Sequence, residues 1–155
     1  MSSACAKCPI GEYANEPKSE TCKTCDTGTY NLVEGSFGCD KCAGGEKLVV
    51  DDAGVRCVSC GDGKYSNPGS TSCATCEHTK GYVSKAGNDT CAYCGPGFFA
   101  DLASHSCKEC EIGKYSIGGK NECVVCPEGT NTNNKIAATA CSPCSPGSVT
   151  AGDIC

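Results

Sequence analysis

The 155 residues include 19 Cys, 20 Gly and 7 Pro against three Phe, one Met and no Trp, with a net charge of -5. An ordinary domain of this length buries roughly 70% of its unfolded surface around runs of Leu, Ile, Val and Phe; the longest run here is Lys47-Leu48-Val49-Val50, with Val124-Val125 behind it, which excludes one shared core. Arg56 is the only arginine and the lysines are scattered, which excludes the clustered basic stripe that a nucleic-acid backbone requires.

At the start, Met1-Ser2-Ser3-Ala4-Cys5 has neither a basic n-region nor an apolar h-region. It does not read as a signal peptide, and the expectation is an excerpt of a longer chain or a processed mature form. No run of 18 apolar residues follows, so no membrane-spanning helix is expected. From Cys5 onward, nine Cys-x-x-Cys pairs begin at Cys5, Cys22, Cys39, Cys57, Cys73, Cys91, Cys107, Cys123 and Cys141, and Cys155 stands alone. Every second pair, from Cys5 through Cys39, Cys73 and Cys107 to Cys141, lies 34 residues after the last. Loop lengths that compensate in this way suggest a two-loop unit. The units are then 5–38, 39–72, 73–106 and 107–140, with a partial unit 141–155; an independent unit of about 17 residues is the alternative.

Each loop repeats the same lettering. The third residue after a pair is glycine in eight loops (Gly11, Gly28, Gly45, Gly63, Gly97, Gly113, Gly129 and Gly147), and Glu77-His78-Thr79-Lys80 delays it to Gly81 in the other. An aromatic follows two residues later at Tyr13, Tyr30, Tyr65, Phe99 and Tyr115, and directly after the late glycine at Tyr82. Such a glycine permits positive φ in a tight turn, and the aromatic begins a short extended stretch that would cover the sulfur atoms. Second turns are expected at Glu34-Gly35-Ser36, Asn67-Pro68-Gly69-Ser70, Gly87-Asn88-Asp89 and Gly118-Gly119-Lys120. The predicted fold is a set of small disulfide-rich repeats, irregular short β-hairpins stacked into an elongated rod with little or no helix. Ile136–Ala140 is the only helix-like stretch, too short to stand alone.

A two-stranded hairpin is marginal in water, and a disulfide across about 15 residues contributes roughly 3 kcal/mol. Two pairings fit the spacing. In the loop-closing one, Cys8 joins Cys22, Cys25 joins Cys39, Cys42 joins Cys57, Cys60 joins Cys73 and Cys76 joins Cys91; Cys94 then joins Cys107, Cys110 joins Cys123, Cys126 joins Cys141 and Cys144 joins Cys155. This scheme is favoured because all loops become equivalent, and it leaves Cys5 unpaired or intermolecular. In the interlocked one, Cys5 joins Cys22 and Cys8 joins Cys25, repeating every 34 residues and leaving Cys144 over.

Paired Cys-x-x-Cys motifs also hold structural zinc. Nine pairs are an odd number for four-thiolate sites, and each site would add negative charge to an acidic chain. A redox role needs one pair at a helix start, which is not visible. His78 and His105 lie in different repeats and read as solvated loop residues. Asp51-Asp52 reads as a solvated turn, without the spacing of an EF-hand. Asn88-Asp89-Thr90 is the only N-glycosylation sequon. No enzyme activity and no cofactor are expected.

The stretch from Cys60 through Gly63, Tyr65 and Pro68 to Cys73 and Cys76, and that from Cys107 through Cys110 to Tyr115, resemble the cysteine-rich repeats of tumour necrosis factor receptors, growth-factor receptors and ephrin receptors. The uninterrupted run of pairs is similar to the variant-specific surface proteins of diplomonads and the immobilisation antigens of ciliates. The resemblance covers the whole chain and implies a secreted or cell-surface coat, antigen or stalk. The leading expectation is an extracellular structural protein, partnered by further copies of itself in fibrils or by another surface protein. The alternative is a receptor ectodomain fragment, with the loops around His78–Tyr82 and Leu48–Val50 as candidate ligand edges. An intracellular multi-zinc protein is the third reading.

Overall fold

A computed structural model of the chain describes residues 5–149, Ala151 and Cys155; the Met1–Ala4 start and residues 150 and 152–154 of the partial unit lie outside the described residues. Seven of the nine loops enter through a tight turn in which the residue after the glycine donates its N–H back three residues, as from Glu12 to Pro9 at 3.0 Å and from Thr29 to Asp26 at 2.9 Å. Gly11 and Gly28 sit at φ 88° and 85°, the third position of a type II turn, which a side chain disfavours. The chain then pairs with the two residues inside the next Cys-x-x-Cys. Glu12–Tyr13 meets Lys23–Thr24, Thr29–Tyr30 meets Asp40–Lys41, and Lys64–Tyr65 meets Ala74–Thr75. The described residues form eight antiparallel two-stranded sheets and one three-residue helix, His78–Lys80. Ile136–Ala140 forms no helix; Ala137 instead occupies a left-handed turn at φ 51°.

With loops numbered 1 to 9 from Cys8–Cys22 to Cys144–Cys155, neighbours stack through backbone hydrogen bonds in a recurring pattern. The motif glycine N–H of one loop donates to the residue three beyond the motif glycine of the next. Gly45 donates to the Ser66 carbonyl, Gly63 to Ser84 and Gly97 to Ser116, while Gly11 donates to Asn31 Oδ1 and Gly113 to Thr132 Oγ1. A second bond runs back from the second turn. Gly35, Gly69, Gly119 and Ala137 donate to the carbonyls of Cys8, Cys42, Cys94 and Cys110 at 2.8 to 3.0 Å. The acceptor position accounts for most of the buried polar residues: Asn31, Ser66, Ser84, Ser116 and Thr132.

This glycine-to-acceptor bond joins loops 1–2, 3–5 and 6–8. Loops 3 and 6 carry apolar Leu48 and Ala100 at the acceptor position, and both are buried. They also have the longest hairpins, Glu46–Asp51 with Gly54–Ser59 and Phe98–Asp101 with Ser106–Glu109. At the seam between loops 5 and 6 the Gly81 N–H donates instead to the His78 carbonyl at 2.8 Å, and Val83 of loop 5 packs against Cys94 and Ala100 of loop 6. The 34-residue step groups loops differently, placing loops 5 and 6 together across a seam. Loops two apart also touch: a β-carbon on Gly28 would stand 2.0 Å from the Gly69 carbonyl oxygen.

The buried apolar residues are few and sit along the stack rather than at one centre. The only buried apolar cluster among the described residues is Val83, Cys94 and Ala100, with Phe98 and Cys107 against it, at the seam between loops 5 and 6. The accessible surface is 9965 Å², against about 7,300 Å² for a compact protein of this mass. An array whose loops touch only near neighbours has that excess.

Candidate functional site

The cysteines are positioned by the return strand of each hairpin. In an extended Cys-x-x-Cys the two β-carbons face opposite sides and the α-carbons stand about 10 Å apart at about 3.3 Å per residue. One cysteine therefore closes the loop behind it and the other opens the loop ahead. The bridges are Cys8–Cys22, Cys25–Cys39, Cys42–Cys57, Cys60–Cys73, Cys76–Cys91, Cys94–Cys107, Cys110–Cys123, Cys126–Cys141 and Cys144–Cys155. Their α-carbons lie 5.4 to 5.9 Å apart, inside the range a disulfide requires. Cys5 is free and exposed. The loop-opening Cys8, Cys42, Cys76, Cys94 and Cys110 are buried, and all but Cys76 accept a second-turn N–H at their carbonyl.

Several aromatics lie beside the bridge of the next loop. Tyr65 of loop 4 lines a groove with Cys76 and Cys91 of loop 5, Phe99 of loop 6 shares one with Cys123 of loop 7, and Tyr13 of loop 1 shares one with Cys39 of loop 2. The first groove, about 510 Å³, is completed by Glu77, Lys80, Tyr82 and Thr90. Glu77 and Lys80 form an exposed ion pair at 2.6 Å, and the hydrogen bond to Glu77 raises the Lys80 pKa. Tyr82 pairs with Tyr93 across the hairpin, their ring centroids 5.4 Å apart. Of the two candidate ligand edges, the His78–Tyr82 loop thus borders a groove. At the other, Leu48 is buried and Val50 is exposed.

His78 and His105, read from sequence as solvated loop residues in different repeats, lie in loops 5 and 6 and are half-buried, each with one ring nitrogen shielded from solvent. The delayed glycine of loop 5 leaves extra residues that form the His78–Lys80 turn, capped by Gly81 at φ 77°. Gly81 then accepts the Cys94 N–H at 2.7 Å as the other motif glycines do. His105 lies at φ 47° in the turn of the loop 6 hairpin. The two rings meet with centroids 5.6 Å apart, and His78 Nε2 and His105 Nδ1 are both buried without a hydrogen-bond partner. Beside them, Asp101 accepts from Lys108 Nζ at 2.8 Å and from the Ser104 N–H at 2.9 Å. Those bonds, Lys108 first, hold its carboxyl at about 2.

Asp51 is fixed by Arg56, which donates from both terminal nitrogens at 2.7 Å, and by the Ala53 N–H at 3.0 Å. The Arg56 bond is the main reason its pKa is lowered. Asp52 is exposed in the same turn, and Asn88 is exposed in the second turn of loop 5, its N–H donating to Lys85 at 3.1 Å. Among the described residues no three His, Cys, Asp or Glu converge as a metal cluster, and no helix is long and apolar enough to cross a membrane. No protein-family model matches the chain, and no curated protein matches it.

Proposed function

We propose that the chain is an extracellular structural protein of a cell-surface coat or appendage, in which stacked loops extend end to end into fibrils. The observation that carries this reading is the head-to-tail loop interface: a glycine N–H donates forward and a loop-opening cysteine carbonyl accepts from the following loop. An interface of that kind is heterologous, and it extends into a filament wherever its rotation does not close a ring. The nine disulfides suit an oxidising compartment, and similarity of the repeat lettering to protist surface proteins agrees with a coat. Exposed apolar side chains are available for contacts between copies, including Leu32, Val33 and Phe37 in loop 2, with Phe37 84% exposed. Asn88, exposed in its turn, would carry a glycan in a secreted protein. Electron microscopy of the oxidised, purified chain is expected to show filaments of uniform width, and isolated monomers at high concentration would count against assembly.

The groove between loops 4 and 5 favours a second reading, a receptor ectodomain. It presents two tyrosines beside an ion pair, and tyrosine is among the residues enriched at the energetic centres of protein-binding surfaces. A ligand bound there would be lost with Tyr65→Ala or Tyr82→Ala while the disulfides stayed intact.

A further inference from the structure

Loops 5 and 6 meet without the glycine-to-acceptor bond that joins the loops within each block, and two imidazoles converge at that seam. His78 Nε2 and His105 Nδ1 are buried and have no partner, which is unusual for polar atoms removed from water. Both nitrogens lie beside the space that Gly63 of loop 4 leaves open, where a β-carbon would stand 2.8 Å from His105 Nδ1, 2.9 Å from His105 Cε1 and 3.7 Å from His78 Nε2. Only a glycine leaves that space open.

The separation of the rings suits a shared ion. With a metal–nitrogen distance of about 2.0–2.1 Å, each ring centroid would lie about 3.2 Å from the ion. With both nitrogens turned to the ion, the observed 5.6 Å between centroids would correspond to an angle at the ion of about 120°, within the range of tetrahedral and trigonal sites. His105 reaches this position from φ 47°, a region that residues with side chains enter sparingly. The Asp101, Ser104 and Lys108 contacts brace its turn, and Lys85 Nζ donates to the Ser104 carbonyl from loop 5.

We propose that His78 and His105 form a two-imidazole site for a borderline divalent cation of the zinc or copper(II) class. The cation would clamp loop 5 to loop 6 and keep its remaining positions for water or an incoming ligand. Imidazole nitrogen selects these ions over magnesium or calcium, and cysteines held in disulfides do not compete. The site is independent of whether the chain builds a coat or binds a ligand.

The test uses the oxidised full chain with Cys5 alkylated, since it is the one free thiol among the described residues. Calorimetric titration with zinc chloride is expected to show one equivalent bound. His78→Asn and His105→Asn should each weaken binding at least tenfold, asparagine being chosen because it tolerates positive φ at position 105. Copper(II) electron paramagnetic resonance should show two coupled imidazole nitrogens in the parent and at most one in either variant. Equal zinc affinity in parent and variants, or a single coupled nitrogen in the parent, would overturn the proposal. Should either variant fail to oxidise, diethyl pyrocarbonate modification of the parent decides: zinc is expected to protect both histidines together, and protection of one or neither contradicts the site.

Discussion

Asn31 joins two loops with one side chain. Its Oδ1 accepts the Gly11 N–H at 2.7 Å, its Nδ2 donates to the Glu12 carbonyl at 2.8 Å, and it is 5% exposed. Asn31→Ala leaves both backbone groups unpaired, so thermal unfolding should show a loss of about 1–3 kcal/mol; an unchanged midpoint would remove the bond from the account. The motif glycines separate two effects of a side chain. At Gly11 a β-carbon meets nothing within 4 Å, so Gly11→Ala should cost only the left-handed strain of about 1–2 kcal/mol. Gly28→Ala adds a collision with the Gly69 carbonyl, and it should be clearly the more destabilising of the two. Asp101 gives a pH signature. Its folded carboxyl is depressed from 3.8 to about 2 by Lys108 and Ser104, so its contribution is full above the unfolded value and is lost as pH falls from about 4 through 2. Asp101→Asn should remove that acid-side component, seen as a flatter stability profile between those pH values.

At the scale of the loop, the turn glycine, the following extended pair and the second turn were all legible, because each is set within a few residues by φ and by the local hydrogen bond. The 16- to 18-residue spacing left two pairings open. What separates them in the structure is the extended conformation of the two residues inside each Cys-x-x-Cys from Cys22 onward, since it turns neighbouring cysteines to opposite faces. The seams were not read from sequence. Three places after the motif glycine stand Asn, Ser or Thr where stacking bonds arrive and Leu48 or Ala100 where they do not, but Ser66, Ser84 and Ser116 accept through backbone carbonyls, so the letter alone does not make the bond. The histidine pair was missed for a related reason. His78 and His105 are 27 positions apart, and only the late glycine of loop 5 and the bare backbone of Gly63 bring them together. Hydrogen exchange tests the pattern directly: the amides of Gly45, Gly63, Gly97 and Gly113 should be protected together, and rapid exchange at all four would contradict the stack.

Across the whole molecule, covalent links take the place of a shared core. A compact chain of this length has a radius of gyration of about 15 Å, and small-angle scattering of the monomer should give a value well above it. Intact mass without reductant should lie about 18 Da below the fully reduced chain, two hydrogens for each of nine bridges. Peptide mapping under non-reducing conditions tests the account most directly. Fragments joining Cys8 to Cys22, Cys25 to Cys39 and so on are expected, one bridge closing each loop; fragments joining Cys5 to Cys22 and Cys8 to Cys25, or bridge cysteines recovered as free thiols, would overturn the loop-closing scheme.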